Sequence, residues 1–128
     1  MRMIFVNLPV KDLEASKAFF GALGFEFNAD YSDADAACMV VAENIFVMLL
    51  VEKRFKDFIN DEIADASSTT ETITCLSVDN KDEIDETIAR AIAVGGKPWK
   101  PAMNEGPMHG GSFQDLDGHV WELLYMEA

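Results

Sequence analysis

One order of hydrophobic segments is written twice along this chain, and that repeat constrains its fold more than any other feature. MIFVNLPV (3–10) reads as a strand, with Pro9 marking its end or an edge position. Asp12 can cap a helix over LEASKAFFGALG, where Leu13, Phe20 and Leu23 recur at helical spacing. Ala15, Ala18, Phe19 and Ala22 widen that stripe, and Gly24 suits its stop. FEFNADY (25–31), AACMVVAE (36–43) and IFVMLLVE (45–52) then read as strands, the last two joined in a hairpin at Glu43-Asn44. The second half repeats the plan. ETITCLSV (71–78) is a strand, and Asn80 with Glu83 forms a capping pair. Ile84, Ile88, Ala91 and Ile92 make one helical face ended by Gly95-Gly96. KPWKPAM (97–103), GGSFQD (110–115) and HVWELLYM (119–126) follow as strands, with LDG as the last turn. FVNLPVKD against TCLSVDNK is the clearest echo in letters.

Between the halves lies KRFKDFINDEIADASSTT (53–70). Phe55, Phe58 and Ile59 suggest one short amphipathic helix, and ADASSTT is loop-like. The segment reads as a connector whose aromatics pad the core, or as a flap beside a binding face. The expectation is a single domain over 1–128, with module 1 at about 1–52, the connector at 53–70 and module 2 at about 71–128.

Composition excludes several classes. A net charge of −13 opposes nucleic-acid binding, which rests on neutralising phosphates, and favours a cationic small molecule over an anionic one. The longest apolar run, IFVMLLV (45–51), is far too short to span a membrane, so no membrane partner is expected. The N-terminus lacks the pattern of a signal peptide, and Cys38 and Cys75 stand apart with no Cys-x-x-Cys spacing, which fits a reducing cytoplasm. There is no G-x-S-x-G, P-loop, G-x-G-x-x-G or H-E-x-x-H. NEGPMHGGSF (104–113) is Gly-rich but precedes no helix, so it reads as a flexible loop whose glycines permit tight turns.

The unusual residue is Glu122, a carboxylate in the middle of the apolar run VWELLYM. Burying it unpaired is costly, so it marks a site or has a partner. It reads as an inert group satisfied by Asn7 or a backbone N–H, as a ligand-binding carboxylate, or as a general acid/base whose pKa burial raises.

The opening FVNLPVKDLEASKAFFGALGF and the closing FQDLDGHVWELL resemble the vicinal oxygen chelate superfamily, the family of glyoxalase I, bleomycin-resistance proteins and extradiol dioxygenases. More narrowly, the chain is similar to small bacterial proteins labelled predicted lactoylglutathione lyases. The resemblance covers essentially the whole chain. It implies an α+β fold of two βαβββ modules forming a curled mixed sheet around a cleft, and often a homodimer. Metal-dependent members carry four His, Gln or Glu ligands, and by motif position these fall on Phe5, Met48, Ile73 and Glu122. Phe5, Met48 and Ile73 cannot hold a hard or borderline divalent ion, so no metal and no other cofactor is expected. A site rebuilt from Glu122, Cys75 and His109 is the alternative, while His119 beside the turn reads as a surface residue.

Strand alternation lines the cleft with Phe5 and Asn7, with Phe46, Met48 and Leu50, with Ile73 and Cys75, and with Val120, Glu122 and Leu124. The opposite faces, Val6, Leu8 and Val10, then Val47, Leu49 and Val51, then Trp121, Leu123 and Tyr125, would pack under the helices. The expectation is therefore metal-independent binding of a small molecule. The alternatives are a lyase, isomerase or dioxygenase with Glu122 as its catalytic group, metal-free or metal-dependent in another strand register, and a structural or interaction protein whose cleft is filled.

Overall fold

A computed structural model describes residues 1–128. The chain divides into two compact units, Met1–Ala64 and Asp65–Ala128, so the boundary falls inside the connector. No helix is long and apolar enough to cross a membrane.

The first unit contains β1 (Ile4–Val10), α1 (Leu13–Ala22), β2 (Glu26–Asn28), β3 (Ala36–Ala42), β4 (Ile45–Val51) and α2 (Glu52–Lys56). Its strands form one mixed sheet in the order β1-β4-β3-β2, with β1 parallel to β4 and the other pairs antiparallel. Pro9 therefore sits on an edge strand, where its missing N–H breaks no inner ladder. Asp12 caps α1 by accepting from Ala15 N at 3.0 Å. Leu8, Val10, Val47 and Leu49 are buried with Leu13, Phe19, Phe20 and Leu23 of the helix region. The stripe is narrower than its apolar letters suggest. Ser16 is buried, whereas Ala18 and Ala22 are exposed because the face centres on Leu13, Ser16, Phe19, Phe20 and Leu23. The stretch 25–31 is strand only over Glu26–Asn28. Asn28 then accepts from Asp30 N at 2.9 Å and starts a 3-10 turn, Ala29–Tyr31.

The second unit contains β5 (Ile73–Ser77), α3 (Lys81–Ala93), β6 (Lys97–Pro98), β7 (Met103–Glu105), β8 (Met108–Gln114) and β9 (Val120–Met126). Its sheet runs β5-β9-β8-β6, and β7 also pairs with β8. The expected strand over 97–103 is split in two, since Trp99-Lys100-Pro101 cannot keep a regular ladder. The unit thus has one more strand than a βαβββ module. Asn80 caps α3 through Glu83 N at 3.0 Å, and Gly95 takes φ +111° at the helix end. Ile84, Thr87 and Ala91 form the buried stripe of α3, leaving Ile92 at its margin 43% exposed. Gly111 has no room for a side chain, because a Cβ there would lie 2.5 Å from Ile88 and 2.8 Å from Ile84. This glycine lets helix and sheet approach; it does not make a turn.

The connector is better ordered than its composition suggests. α2 packs against β1 and β4, with Phe55 half-buried, while Phe58 is exposed beneath the Arg54 guanidinium at 4.5 Å. Asp65 organises ADASSTT by accepting from Ser67 N at 3.0 Å on its side chain and from Thr69 N at 2.9 Å on its carbonyl.

Candidate functional site

Strand register fixes which expected site residues share a face. In the first unit Phe5 pairs with Phe46, and Asn7 with Met48. In the second, Ile73 pairs with Val120, and Cys75 with Glu122. The two ladders match step for step, so Met48 holds in its unit the place Glu122 holds in the other. The faces opposite these residues are the buried ones, as alternation predicts: Leu8, Val10, Val47 and Leu49 in one unit, Trp121 and Leu123 in the other.

The site-bearing faces are open to differing degrees. Phe5 is 42% and Ile73 54% exposed, so neither has become core. Asn7 and Cys75 are also exposed, Phe46, Met48, Glu122 and Leu124 are half-buried, and only Leu50 and Val120 are buried. Phe5 lies stacked on Phe46, with centroids 4.9 Å apart and planes at 13°. The Asn7 amide donates to the Phe5 carbonyl at 3.1 Å.

Glu122 is half-buried and not sealed in the interior, because it faces the open side of its sheet. Cys75 stands beside it, one strand away at the same register. Cys75 is exposed as a residue, yet desolvation of the thiol, then the hydrogen bond to Glu122 and its negative charge, push the thiol up to about 11. It therefore keeps its proton as pH rises, until pH passes through about 11. Iodoacetamide at pH 8 should modify Cys75 about 20-fold more slowly than an unstructured thiol, a roughly 200-fold smaller thiolate fraction being offset about tenfold by greater nucleophilicity. Glu122→Gln should raise that rate several-fold, and equal rates in the two proteins would refute the thiol–carboxylate contact. Cys38 is buried, so the labelling reports on Cys75.

His109 does not join this pair. It aligns with Tyr125, on the face of β9 opposite Glu122, so the rebuilt site of Glu122, Cys75 and His109 is ruled out by register. Its Nδ1 lies 2.6 Å from Asn104 Oδ1, its ring stacks on Tyr125, and its Nε2 is 3.3 Å from Glu127 Oε1 without hydrogen-bond alignment. Nowhere do three His, Cys, Asp or Glu side chains gather as a metal ion would require.

The deeply buried acid of this hairpin is Asp115, 5% exposed. Its Oδ1 accepts from Asp117 N and His119 N, both at 3.0 Å, and its Oδ2 accepts from the Trp121 indole at 2.9 Å. Burial pushes its carboxyl above the ordinary value of 3.8, while the neighbouring His119 and these donors pull it down. Read as the last letter of the strand GGSFQD, Asp115 is missed by hydrophobic periodicity. The signal that could have found it is an Asp just before D-G with a Trp six residues on.

A family model for the N-terminal part of bleomycin-resistance-like proteins matches residues 2–42. A hypothetical protein from S. aureus is 26% identical, with a TM-score of 0.83 over 98% of this chain and 94% of that one. A glyoxalase/bleomycin resistance protein/dioxygenase family enzyme from Burkholderia phytofirmans PsJN is 15% identical, with a TM-score of 0.80 over 98% of this chain and 99% of that one. The fold is that of the glyoxalase/bleomycin-resistance proteins. The genomically encoded fosfomycin resistance protein FosX of Listeria monocytogenes, solved with Mn(II) and sulfate, is also similar: 22% identical, with a TM-score of 0.71 over 97% of this chain and 89% of that one. No curated protein sequence matches the chain.

A divalent metal does not suit the residues present. Of the four positions that the resemblance assigns to ligands, Phe5 and Ile73 offer no donor, Met48 offers a soft thioether, and Glu122 alone offers a hard oxygen.

Proposed function

We propose that this protein binds a small organic molecule without a metal, in the manner the resemblance to bleomycin-resistance proteins suggests. The observation that carries the reading is the exposure of Phe5 and Ile73. Apolar side chains stand at the old ligand positions, and they face solvent instead of filling a core. Wet apolar surface beside a few polar groups, as Ile73 lies beside Cys75 and Glu122 in the second unit, is the usual make-up of a small-molecule site. Catalysis through Glu122 is the second reading, favoured by its half-burial beside Val120 and Leu124. Loss of turnover with retained binding in Glu122→Gln would separate it from binding alone.

The test is a thermal-shift screen of organic compounds in excess chelator. A ligand at 100 times its Kd stabilises by about 2.7 kcal/mol. The expected hits survive chelator and are lost in Phe5→Asp or Ile73→Asp, substitutions that should not unfold an exposed position. Hits that appear only with added divalent metal would overturn the reading.

A further inference from the structure

We infer that one end of the second unit, formed by the last turn of α3, the β6 segment and the β8–β9 turn, docks an acidic segment of another protein that carries apolar side chains. Residues 87–104 form the longest stretch of the chain without Asp or Glu. They hold Arg90, Lys97 and Lys100, three of the ten cations of a chain with 23 acids. All three are exposed, and none forms an ion pair within the chain, whereas Lys17, Arg54 and Lys56 do. Folding brings little acid to this surface. Lys97 stands opposite Gln114, Pro98 stands opposite Phe113, and the Lys100 backbone N–H donates to Ser112 Oγ at 3.0 Å. In the adjoining turn Asp115 is buried and turned to its own donors, which leaves the half-buried Asp117 at the rim.

Large apolar side chains are exposed at the same end: Ile92 and Val94 at the close of α3, Leu116 in the β8–β9 turn, and Trp99 between Pro98 and Pro101. Leu116 lies against the helix end, since a Cβ on Gly95 would meet its Cδ2 at 3.0 Å. One exposed Leu needs no explanation, but apolar side chains gathered among unpaired cations mark an interaction surface. Trp and Arg often carry the binding energy of interfaces, and the two prolines restrict the backbone on either side of Trp99. Charge decides among the partners. A symmetric contact with a second copy would set these cations against their own kind. A membrane or a nucleic acid spreads negative charge past the patch, onto the acids that give the chain its net −13. A short acidic segment feels mainly the local cations, because charges beyond about 8 Å are screened at physiological salt. Its apolar side chains would cover Trp99 and Leu116.

The test measures fluorescence anisotropy of a short labelled peptide of Glu, Leu and Phe, beside a peptide of Glu and Ser with the same charge. The first should bind at or below millimolar concentration, and the second about tenfold more weakly. Lys97→Glu combined with Lys100→Glu should weaken the first peptide by about tenfold, and Trp99→Ala by a similar factor. Lys53→Glu combined with Lys56→Glu, an equal charge change on α2 of the first unit, should leave its affinity unchanged. Equal binding of the two peptides, or an equal loss in the α2 control, assigns the effect to overall charge and overturns the docking surface. No binding of the first peptide at millimolar concentration overturns it outright. Binding to phosphatidylserine vesicles in place of the peptide, or self-association that Trp99→Ala abolishes, gives the surface another occupant and overturns the acidic segment. Should Trp99→Ala fail to fold, the exposed lysine pair decides alone. The chelator screen of organic compounds reads small-molecule binding separately, so either result stands without the other.

Discussion

Replacing Asp115 with alanine is expected to destabilise the protein by about 3–5 kcal/mol, from two backbone donors and one buried indole donor losing a charged acceptor. For a chain of this size that lowers Tm by roughly 10–15 °C. The indole belongs to Trp121, 1% exposed and among the largest fully buried side chains, so the loss strikes both the turn and the core of the second unit. Chemical denaturation with Trp fluorescence measures both. Asp115→Asn keeps an acceptor oxygen and should cost less than half as much. The two variants also differ in pH dependence. Burial holds the Asp115 carboxyl above 3.8, so the native chain binds this proton more tightly than the unfolded one. Its contribution is fully present below the unfolded value and is lost as pH rises through the raised folded value. Asparagine cannot titrate. The stability advantage of the natural chain over Asp115→Asn should therefore shrink as pH rises above the ordinary carboxyl value of 3.8. An advantage that grows over that window would mean that the donors outweigh burial.

Gly118→Ala is expected to cost about 3–5 kcal/mol, through two separable effects. Gly118 has φ +92°, where an L side chain is strained, and a Cβ there would come within 2.7 Å of the Ala66 carbonyl oxygen and 2.8 Å of Ser67 Cα. The second effect arises because the Asp65 turn seats its backbone directly on the β8–β9 turn. Gly24→Ala supplies the control: its φ is +100°, but nothing lies within 4 Å of the added carbon. It should lose only the conformational part, about 1–2 kcal/mol. Similar losses at the two glycines would show that the 65–69 segment does not rest on Gly118 in solution.

These two residues show where sequence reasoning stops. Period-two alternation correctly separates Leu8, Val47, Leu49, Trp121 and Leu123 from Phe5, Met48, Ile73 and Glu122, because each strand buries one face on a helix layer. Caps at Asp12 and Asn80 are legible because they act within three residues of themselves. Asp115 is not, since its importance lies in what a turn carboxylate meets after folding. Nor is Gly111, whose neighbours Ile84 and Ile88 lie more than twenty residues away along the chain. The role expected of Glu122 was built on burial, but strand letters alone do not reveal that its face stays half open or that Cys75 stands opposite. His109 could be placed only once Tyr125 was known to lie across from it.

Metal content tests the central claim most directly. The protein would be purified without chelator, incubated in turn with Ni(II), Zn(II), Mn(II) and Fe(II), desalted and submitted to elemental analysis, alongside Glu122→Gln. Folded protein that retains no more metal than the variant does is the expected result, because Phe5, Met48 and Ile73 supply no set of hard donors around Glu122. About one ion per chain, held by the natural protein and lost in Glu122→Gln, would contradict the account and restore a metal centre at that carboxylate.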